Sequence, residues 1–233
     1  MQVTFFRWPS YLALLGLAVT LNACGETVST SVKDMGKGTM PVIAAQIGDT
    51  WGDVVKYSTF KLGPLAMSAG TIIDKPHTFI YRDPRHYMVL DNVWYSGVSV
   101  DTDAGTHPIR SIAIGPYSDS AEAEETWERM QSIIQKMEKA GWITDDARNM
   151  KNKFAHSVAE LRSQYANLPG GAQGVEKFWY DDFGNEAWVR LVKTIVDDPT
   201  LHPDPRFNLV LDIQVATWPS KHAKKASKTP GQK

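Results

Sequence analysis

Hydrophobic and polar positions alternate in short runs through the first half of this 233-residue chain. The runs are rich in β-branched and aromatic residues and comprise Thr78–Tyr81, Tyr87–Leu90, Tyr95–Asp101 and Ile109–Ile114. Turn-forming residues separate them, at Asp83-Pro84, Asp91-Asn92 and Asp103–Gly105. This pattern predicts an antiparallel β meander. Ahead of it, Thr50 and Asp53 have the spacing of a capping box and predict a short helix through Val55.

The hydrophobic period changes to three and four between Ser120 and Ala140. Its apolar members are Trp127, Met130, Ile133, Ile134 and Met137. Acidic residues precede them, lysines follow them and Gly141 marks a stop, so the segment predicts an amphipathic helix. A second apolar stripe predicts another helix from about Thr144 to Asn167. We expect the two helices to form a hairpin.

A period of two returns after residue 175. Glu176–Tyr180 and Glu186–Ile195 flank the turn-like residues Asp181–Asn185, and alternating apolar positions run from Phe207 to Val215. The order of strands, helices and strands predicts an α+β fold in which antiparallel β meanders flank a central two-helix hairpin. The body, residues 41–217, has a length compatible with one unit or with two subdomains, 41–117 and 118–217.

The N-terminus combines basic Arg7, an apolar run of about a dozen residues and small Ala23 before the sole cysteine, Cys24. This pattern predicts a secretory signal peptide over residues 1–23. The run is shorter than the roughly 20 residues that a membrane-spanning helix needs, so an uncleaved spanning anchor is the weaker interpretation. An ordinary secreted protein, whose cysteine falls at this place by coincidence, is the other alternative.

The residues Leu21-Asn22-Ala23-Cys24 resemble the lipobox of bacterial lipoproteins. The resemblance implies that Cys24 receives a diacylglyceryl group and, after cleavage, becomes an acylated first residue carrying chains such as palmitate. Asn22 departs from the pattern, because lipoboxes usually carry a small residue there. In a Gram-negative cell, Gly25 after the cysteine implies export to the outer membrane, with the body facing the periplasm.

Charge and composition distinguish the body from both ends of the chain. Residues 24–40 are rich in Ser, Thr and Gly and predict a flexible tether, whereas residues 218–233 are rich in lysine and predict a disordered tail. Residues 41–217 contain 17 Lys and Arg against 24 Asp and Glu, a net charge of −7. Such an acidic body disfavours nucleic-acid binding, which needs a basic surface. The body also contains no cysteine, and therefore no disulfide and no thiol nucleophile.

Two clusters carry residues capable of chemistry, but each also suits a turn. The segment Asp83–His86 joins an acid, a base and an arginine, as a general acid–base site requires, yet Asp-Pro is typical of a β-turn with Arg85 and His86 exposed. The segment Asp101–His107 alternates oxygen ligands around a glycine, like a calcium loop, but lacks a third ligand and the distal glutamate. The turn interpretation is favoured for both.

A third cluster contains His202 and Asp204 in a proline-rich loop. These side chains could ligate a metal only with a distant partner, for which the candidates are His77, His107 and His156. A proline-stiffened surface loop is favoured instead. The sequence therefore predicts no catalytic residue, no metal site and no cofactor.

Seven of the eight tryptophans follow the predicted signal peptide, and most are expected to pack in the core. Trp179 and Tyr180 are candidates for a different role, because Asp181 and Asp182 follow them directly. We expect these four residues to form an exposed edge, acidic and aromatic, that binds another protein.

Three short motifs of the body carry a second resemblance. Gly48-Asp49-Thr50 begins a helix, Phe79–Pro84 ends a strand with Phe-x-Tyr-Arg-Asp-Pro, and Ala140-Gly141-Trp142 ends a helix. Together they resemble uncharacterised proteobacterial lipoproteins of the type found beside type VI secretion effectors. Several such lipoproteins are suspected immunity proteins, so the resemblance implies a periplasmic protein that neutralises a secreted toxin by binding it.

The sequence thus predicts a membrane-anchored periplasmic binding lipoprotein with a protein partner, and not an enzyme. Two alternatives stay open. One is a metal-assisted hydrolase of the envelope that uses His202 and Asp204, and the other is a structural or assembly lipoprotein of the outer membrane.

Overall fold

Eight strands and four helices occupy the part of the chain that the computed structural model describes, residues 40–64, 69–101, 106–165, 171, 173–194 and 205–216. The strands are β1 (Val42–Ala45), β2 (Ala69–Tyr81), β3 (Met88–Val100), β4 (Ile109–Gly115), β5 (Ile143–Thr144), β6 (Gln173–Tyr180), β7 (Asn185–Lys193) and β8 (Phe207–Val215). The helices are α1 (Trp51–Tyr57), α2 (Ala123–Lys139), α3 (Asp146–Lys151) and α4 (Val158–Tyr165).

Some predictions made from the sequence concern residues outside these ranges. They are the signal peptide, the lipobox with Cys24, the tether up to residue 39, the centre of the Asp101–His107 loop, the His202–Asp204 segment and the lysine-rich tail.

The strands form one sheet in the order β1-β2-β3-β4-β8-β7-β6-β5. β1 lies parallel to β2, and all the other neighbouring pairs are antiparallel. β4 pairs with β8 from Ser111 to Ile114, so the strands before α2 and those after it share a single sheet. The fold is therefore mixed α/β, with a large sheet and helices.

Two predicted element boundaries are wrong. Tyr87–Leu90 and Tyr95–Asp101 do not form separate strands, because β3 runs through Asn92, whose left-handed φ of 56° is accommodated at a bulge against β2. The segment Thr144–Asn167 is not one helix but contains the end of β5, then α3 and α4. The chain leaves the helical conformation at Lys153, where φ is 54°.

Two helix ends predicted from capping signals are confirmed, the start of α1 and the end of α2. At α1, the Thr50 side chain accepts from the Asp53 amide while the Asp53 carboxylate accepts from the Thr50 amide, which is a complete capping box. At α2, the chain turns out of the helix at Gly141, whose φ of 83° is readily adopted by glycine. No helix among the described residues is both long and apolar enough to cross a membrane.

The core lies between α2 and the sheet. Of the predicted apolar stripe of α2, Met130, Ile133, Ile134 and Met137 are buried and Trp127 is partly buried, and the stripe packs in one cluster with strand residues from both halves of the sheet. The four largest members of that cluster with almost no exposed surface are Trp179, Tyr81, Phe79 and Phe207. Burial of these side chains is the main favourable term in folding, at about 25 cal/mol per Å² of apolar surface.

Side chains bond to the exposed backbone groups at both margins of the sheet. At β1, the Thr59 and Ser58 hydroxyls accept from the amides of Val42 and Ala44, at 2.8 and 3.0 Å. At β6, the Asn149 side chain donates to the Phe178 carbonyl at 3.2 Å and accepts from the Phe178 amide at 2.7 Å. β5 ends opposite Trp179, and beyond it Asn149 satisfies the Phe178 amide, while the Phe178 carbonyl accepts from both Asn149 and the Asp145 amide.

The sheet is strongly curved, as its turns show. Across the sheet, in the order β2-β3-β4-β8-β7-β6, each strand runs opposite to its neighbour. The β2–β3 turn and the β6–β7 turn therefore lie at opposite ends of the strands. His86 of the first turn nevertheless lies 3.6 Å from Asp181 of the second, measured from Nε2 to Oδ2. A flat sheet could not make this contact. The twist of about 20–25° between neighbouring strands accumulates until two diagonally opposite corners meet.

Replacing Asn149 by alanine tests the side-chain substitute for an edge strand. The change leaves the buried Phe178 amide without a partner, while the Phe178 carbonyl still accepts from the Asp145 amide, and we expect it to lower the free energy of unfolding by about 2 kcal/mol. Urea denaturation followed by circular dichroism measures this difference. The matched control is Asn152→Ala, an exposed asparagine at the end of the same helix, which should change stability by about 0.5 kcal/mol or less. Equal effects of the two substitutions would contradict the assigned role.

Candidate functional site

Three segments that are distant in sequence meet at one corner of the fold, which we call the turn junction. They are the β2–β3 turn (Arg82–Tyr87), the end of α2 with the residues after it (Ala140–Trp142) and the β6–β7 turn (Asp181–Asn185). The first and third segments touch through His86 and Asp181, and the second packs against His86. The junction combines buried charged groups with exposed aromatic and arginine side chains, so we consider it the candidate functional site.

The two turns are built in the same way. The Asp83 carboxylate accepts from the Arg85 backbone amide at 3.0 Å, and the Asp181 carboxylate accepts from the Phe183 backbone amide at 2.8 Å. Each aspartate thereby bonds the amide two residues further on, the geometry of an Asx-turn. Arg85 and Phe183 therefore occupy equivalent positions in their turns.

Asp83 is also paired with Arg85 through the side chain. The guanidinium donates from Nε to Oδ1 at 2.8 Å and from Nη2 to Oδ2. This pairing holds the pKa of the Asp83 carboxyl below its ordinary value, against the opposing effect of burial. Asp83 is 5% exposed, so its charge is retained in the fold because the arginine and the backbone amide satisfy it.

Asp181 is satisfied by hydrogen bonds rather than by a cation in contact. Besides the Phe183 amide, its carboxylate accepts from the backbone amide and from the side-chain amide of Asn185, both at 2.7 Å. The residue is only 1% exposed. Three donors around one buried carboxylate fix the shape of the β6–β7 turn.

His86 connects the turns to the end of α2. Its Nδ1 donates to the Ala140 carbonyl at 3.1 Å, which orients the ring, and its Nε2 faces Asp181. The imidazole also stacks against Trp142, with 4.9 Å between ring centroids. Gly141 lies between these residues, where an added Cβ would be 3.4 Å from the Arg85 carbonyl oxygen. A Cβ would fit there at ordinary contact distance, so glycine is favoured at this position by its φ of 83° rather than by lack of space.

Beneath His86, several aromatic polar atoms are buried without a hydrogen-bond partner among the described residues. They are Tyr81 Oη, His86 Nε2, Trp142 Nε1 and Trp179 Nε1. Burial raises the pKa of the Tyr81 hydroxyl, and the carboxylates of Asp83 and Asp181 raise it further, so the group stays a neutral O–H donor. The ring of Tyr81 lies 6.1 Å from that of Trp142.

A second ion pair supports the β2–β3 turn from the other side. Arg82 donates from Nη2 to Asp49 at 2.6 Å, and its guanidinium lies 3.9 Å from the centre of the Tyr57 ring. Asp49 belongs to Gly48-Asp49-Thr50, Arg82 to the Phe-x-Tyr-Arg-Asp-Pro strand end, and the third motif, Ala140–Trp142, contacts His86. The three motifs that carry the lipoprotein resemblance thus lie around one turn.

The outer surface of the turn junction carries four side chains, which we call the rim: Arg85, Tyr87, Asp182 and Phe183. Phe183 is 57% exposed and Tyr87 is 49% exposed. The guanidinium of Arg85 lies over the Phe183 ring, 3.5 Å from its centre. The equivalent residues of the two turns therefore contact each other and form a cation–π pair at the surface.

The expected exposed edge at Trp179–Asp182 is only partly exposed. Trp179 is fully buried, because the alternation of β6 directs it to the core face between Phe178 and Tyr180, and Asp181 is buried because the turn uses its carboxylate internally. The expectation of exposure is wrong for these two residues. Tyr180 is half-buried and Asp182 is exposed. Phe183, the next residue, was not among the predicted binding residues.

The turn interpretation of Asp83–His86 agrees with the structure, since the segment joins β2 to β3, but His86 is buried rather than exposed. Of the Asp101–His107 segment, Asp101 pairs with Arg110 at 2.7 Å, and residues 102–105 lie outside the described part. His202 and Asp204 also lie outside it. Within the described ranges, no three His, Cys, Asp or Glu side chains are placed to hold a metal ion.

Sequence reasoning did not identify a hydroxyl–imidazole pair between β2 and β3. The Ser96 hydroxyl donates to His77 Nε2 at 2.7 Å, and His77 Nδ1 donates to the Lys75 carbonyl at 2.6 Å. Burial lowers the pKa of the His77 imidazole, which keeps it neutral and able to accept from the serine. Both side chains are almost completely buried, so a substrate could not reach the hydroxyl, and we assign the pair to the core.

In comparisons with protein-family models, curated proteins and solved structures, nothing matches this chain.

Replacing Asp83 by asparagine tests the ionic link within the β2–β3 turn. Asparagine can still accept from the Arg85 amide but carries no charge. Since the folded pKa of Asp83 is lowered, its stabilising contribution is complete above the ordinary value of about 3.9 and is lost as pH falls through the folded pKa. We expect the variant to be less stable by about 1 kcal/mol at pH 7, and the difference to shrink as pH falls below the ordinary carboxyl pKa of about 3.9.

Urea denaturation at several pH values measures this difference, and Arg85→Gln is its control. Arg85→Gln removes the same interaction from the other partner and also the contact with Phe183, so the double variant should be hardly less stable than Arg85→Gln alone. Strictly additive effects, or a difference independent of pH, would show that Asp83 acts only through the shape of the turn.

Proposed function

We propose that this protein is a lipid-anchored binding protein of the bacterial envelope, which engages a protein partner through the rim of the turn junction. The observation that carries the proposal is the exposed Arg85–Phe183 pair, held at the surface by two turns whose own charged groups are buried and bonded. Binding requires complementarity rather than reacting groups, and no catalytic role is proposed for the junction.

The composition of the rim supports a protein interface. Tyrosine, phenylalanine and arginine are enriched where proteins bind each other, and a few such residues carry most of the binding energy. Arg85, Tyr87 and Phe183 supply all three types within two short turns. The Arg85 side chain is 44% exposed, so one side of its guanidinium pairs with Asp83 while its surface stays available to a partner.

The rigidity of the turns supports the proposal independently. Loops that become ordered on binding lose conformational entropy, at about 0.5–1.5 kcal/mol for each immobilised side chain. In the turn junction, the Asx-turns, the His86–Ala140 bond and the Arg82–Asp49 pair order the backbone before any partner arrives. A surface with its shape set in advance suits an inhibitor, which must compete with other partners of its target.

Charge favours a basic partner. The net charge of −7 over residues 41–217 attracts a positively charged protein, and this attraction raises the association rate. Together with the resemblance carried by Asp49, by Phe79–Pro84 and by Ala140–Trp142, it supports an immunity protein that neutralises a secreted toxin. Such a role requires the protein to be in the periplasm. The signal peptide would export it, the acylated Cys24 would anchor it to the outer membrane, and the tether would hold the body away from the bilayer.

The fold assumed in this proposal is α+β. In it, the antiparallel meanders β2–β4 and β6–β8 lie on either side of the helical segment in the chain, and each contributes one turn to the junction.

Photo-crosslinking in living cells tests the use of the rim. With p-benzoyl-phenylalanine at position 183, we expect one adduct of defined mass, because the Phe183 ring is exposed at the proposed contact. The matched control places the same group at position 150, since Met150 is 76% exposed but lies on α3, outside the rim. Mass spectrometry should identify the adduct as an exported protein with a basic surface.

The Arg85→Ala substitution then separates specific contact from chance encounter. It removes the neighbour of residue 183, and we expect it to reduce the adduct at least tenfold while the thermal unfolding of the variant still shows a folded protein. Adducts of similar yield at positions 183 and 150, or an adduct unaffected by Arg85→Ala, would contradict binding through the rim.

Metabolic labelling with an alkyne-bearing palmitate analogue tests the lipid anchor. We expect the wild-type protein to be labelled and to sediment with the membranes, and the Cys24→Ser variant to lose both properties, because the thiol is the acceptor of the lipid. Label that persists in Cys24→Ser would mean that this cysteine follows the apolar run by coincidence.

A further inference from the structure

The turn junction encloses a group of polar atoms that the binding proposal does not use. Tyr81 Oη, His86 Nε2 and Trp142 Nε1 have no hydrogen-bond partner among the described residues. Their side chains are 0%, 6% and 3% exposed, so bulk solvent does not reach them. A buried polar group without a partner costs about 1–3 kcal/mol, and several such groups at one place are rare in folded proteins.

The three groups belong to one small region. The His86 and Trp142 rings are 4.9 Å apart, and the Tyr81 and Trp142 rings are 6.1 Å apart. Asp181 closes the region, because its Oδ2 is 3.6 Å from His86 Nε2, beyond the range of a direct hydrogen bond. A backbone contact from the Ile47 amide to Tyr81 Oη lowers the pKa of that hydroxyl and uses the oxygen as an acceptor, but the phenolic proton still has no acceptor among the described residues.

The hydrogen-bonding character of these atoms defines what they could bind. Trp142 Nε1 can only donate, and Tyr81 Oη has a proton to donate. His86 donates from Nδ1 to Ala140, so its Nε2 accepts a hydrogen bond when the ring carries a single proton. The ligand must therefore accept hydrogen bonds from Trp142 and Tyr81 and donate one to His86.

The neighbouring charges and the burial of the three side chains exclude further classes of ligand. The carboxylates of Asp83 and Asp181 disfavour an anion, and the indole N–H disfavours a metal cation. The near-complete burial of all three side chains leaves no opening for a larger molecule. We propose that the turn junction binds one internal water molecule, which accepts from Tyr81 and Trp142 and donates to His86 and toward Asp181. Such a water would join both turns and the end of α2 through one centre.

The sign of one substitution tests this proposal, and it does so whether or not the rim binds a partner. If water bonds the hydroxyl, Tyr81→Phe breaks a hydrogen bond and lowers the midpoint of thermal unfolding by about 2–4 °C. If the phenolic proton has no acceptor, the same change removes an unsatisfied O–H group together with the contact to the Ile47 amide, and the midpoint stays level or rises. The matched control is Tyr87→Phe in the neighbouring turn, whose exposed hydroxyl is solvated in both states and whose loss should leave the midpoint unchanged.

A crystal structure that resolves ordered waters gives the second measurement. We expect a density peak within about 2.7–3.2 Å of both Tyr81 Oη and Trp142 Nε1, and its disappearance or displacement in Tyr81→Phe. An unchanged or higher unfolding midpoint for Tyr81→Phe, or a direct hydrogen bond from Tyr81 Oη to His86 or Asp181 with no peak between them, would overturn the proposal.

Discussion

Contact between His86 and Asp181 closes the fold, and much of the remaining structure depends on it. It joins two turns at opposite ends of the sheet, so it can form only when eight strands have curled around α2. Each partner is held by other bonds, His86 by the Ala140 carbonyl and Asp181 by three amide donors, so neither side chain can move without disturbing its own turn. The His86–Asp181 contact therefore constrains three features together: the curvature of the sheet, the position of the end of α2 and the placement of the rim.

Local signals in the sequence were sufficient for elements whose cause is itself local. The capping box at Thr50 and Asp53, the apolar stripe of α2 and the stop at Gly141 each depend on residues within one or two helical turns. The turn at Asp83-Pro84 was recognisable for the same reason. The bulge at Asn92 was not, because an Asp-Asn pair that ends a strand looks the same in sequence as one that a long partner strand accommodates.

The candidate site needed information that is not local. His86 and Asp181 are neighbours only because β4 pairs with β8, and the residues of neither turn indicate that pairing. The burial of Trp179 and Asp181 was missed for a related reason. An aromatic residue before two aspartates fits both an exposed edge and a strand end whose last core residue is followed by an Asx-turn. The equivalence of Asp83 and Asp181, each of which accepts from the amide two residues further on, is a property of the folded turns and not of their sequences.

If the protein is anchored by lipid as proposed, the side chains that bond the margins of the sheet have a consequence for its behaviour at the membrane. Molecules anchored by lipid share a two-dimensional space and meet copies of themselves far more often than they would in free solution. Strands with open margins would then pair from one copy to the next and build fibres. Because Ser58, Thr59 and Asn149 already occupy backbone groups at the two margins, crowding of the anchored form would leave neighbouring copies as separate molecules, each with its own rim facing outward.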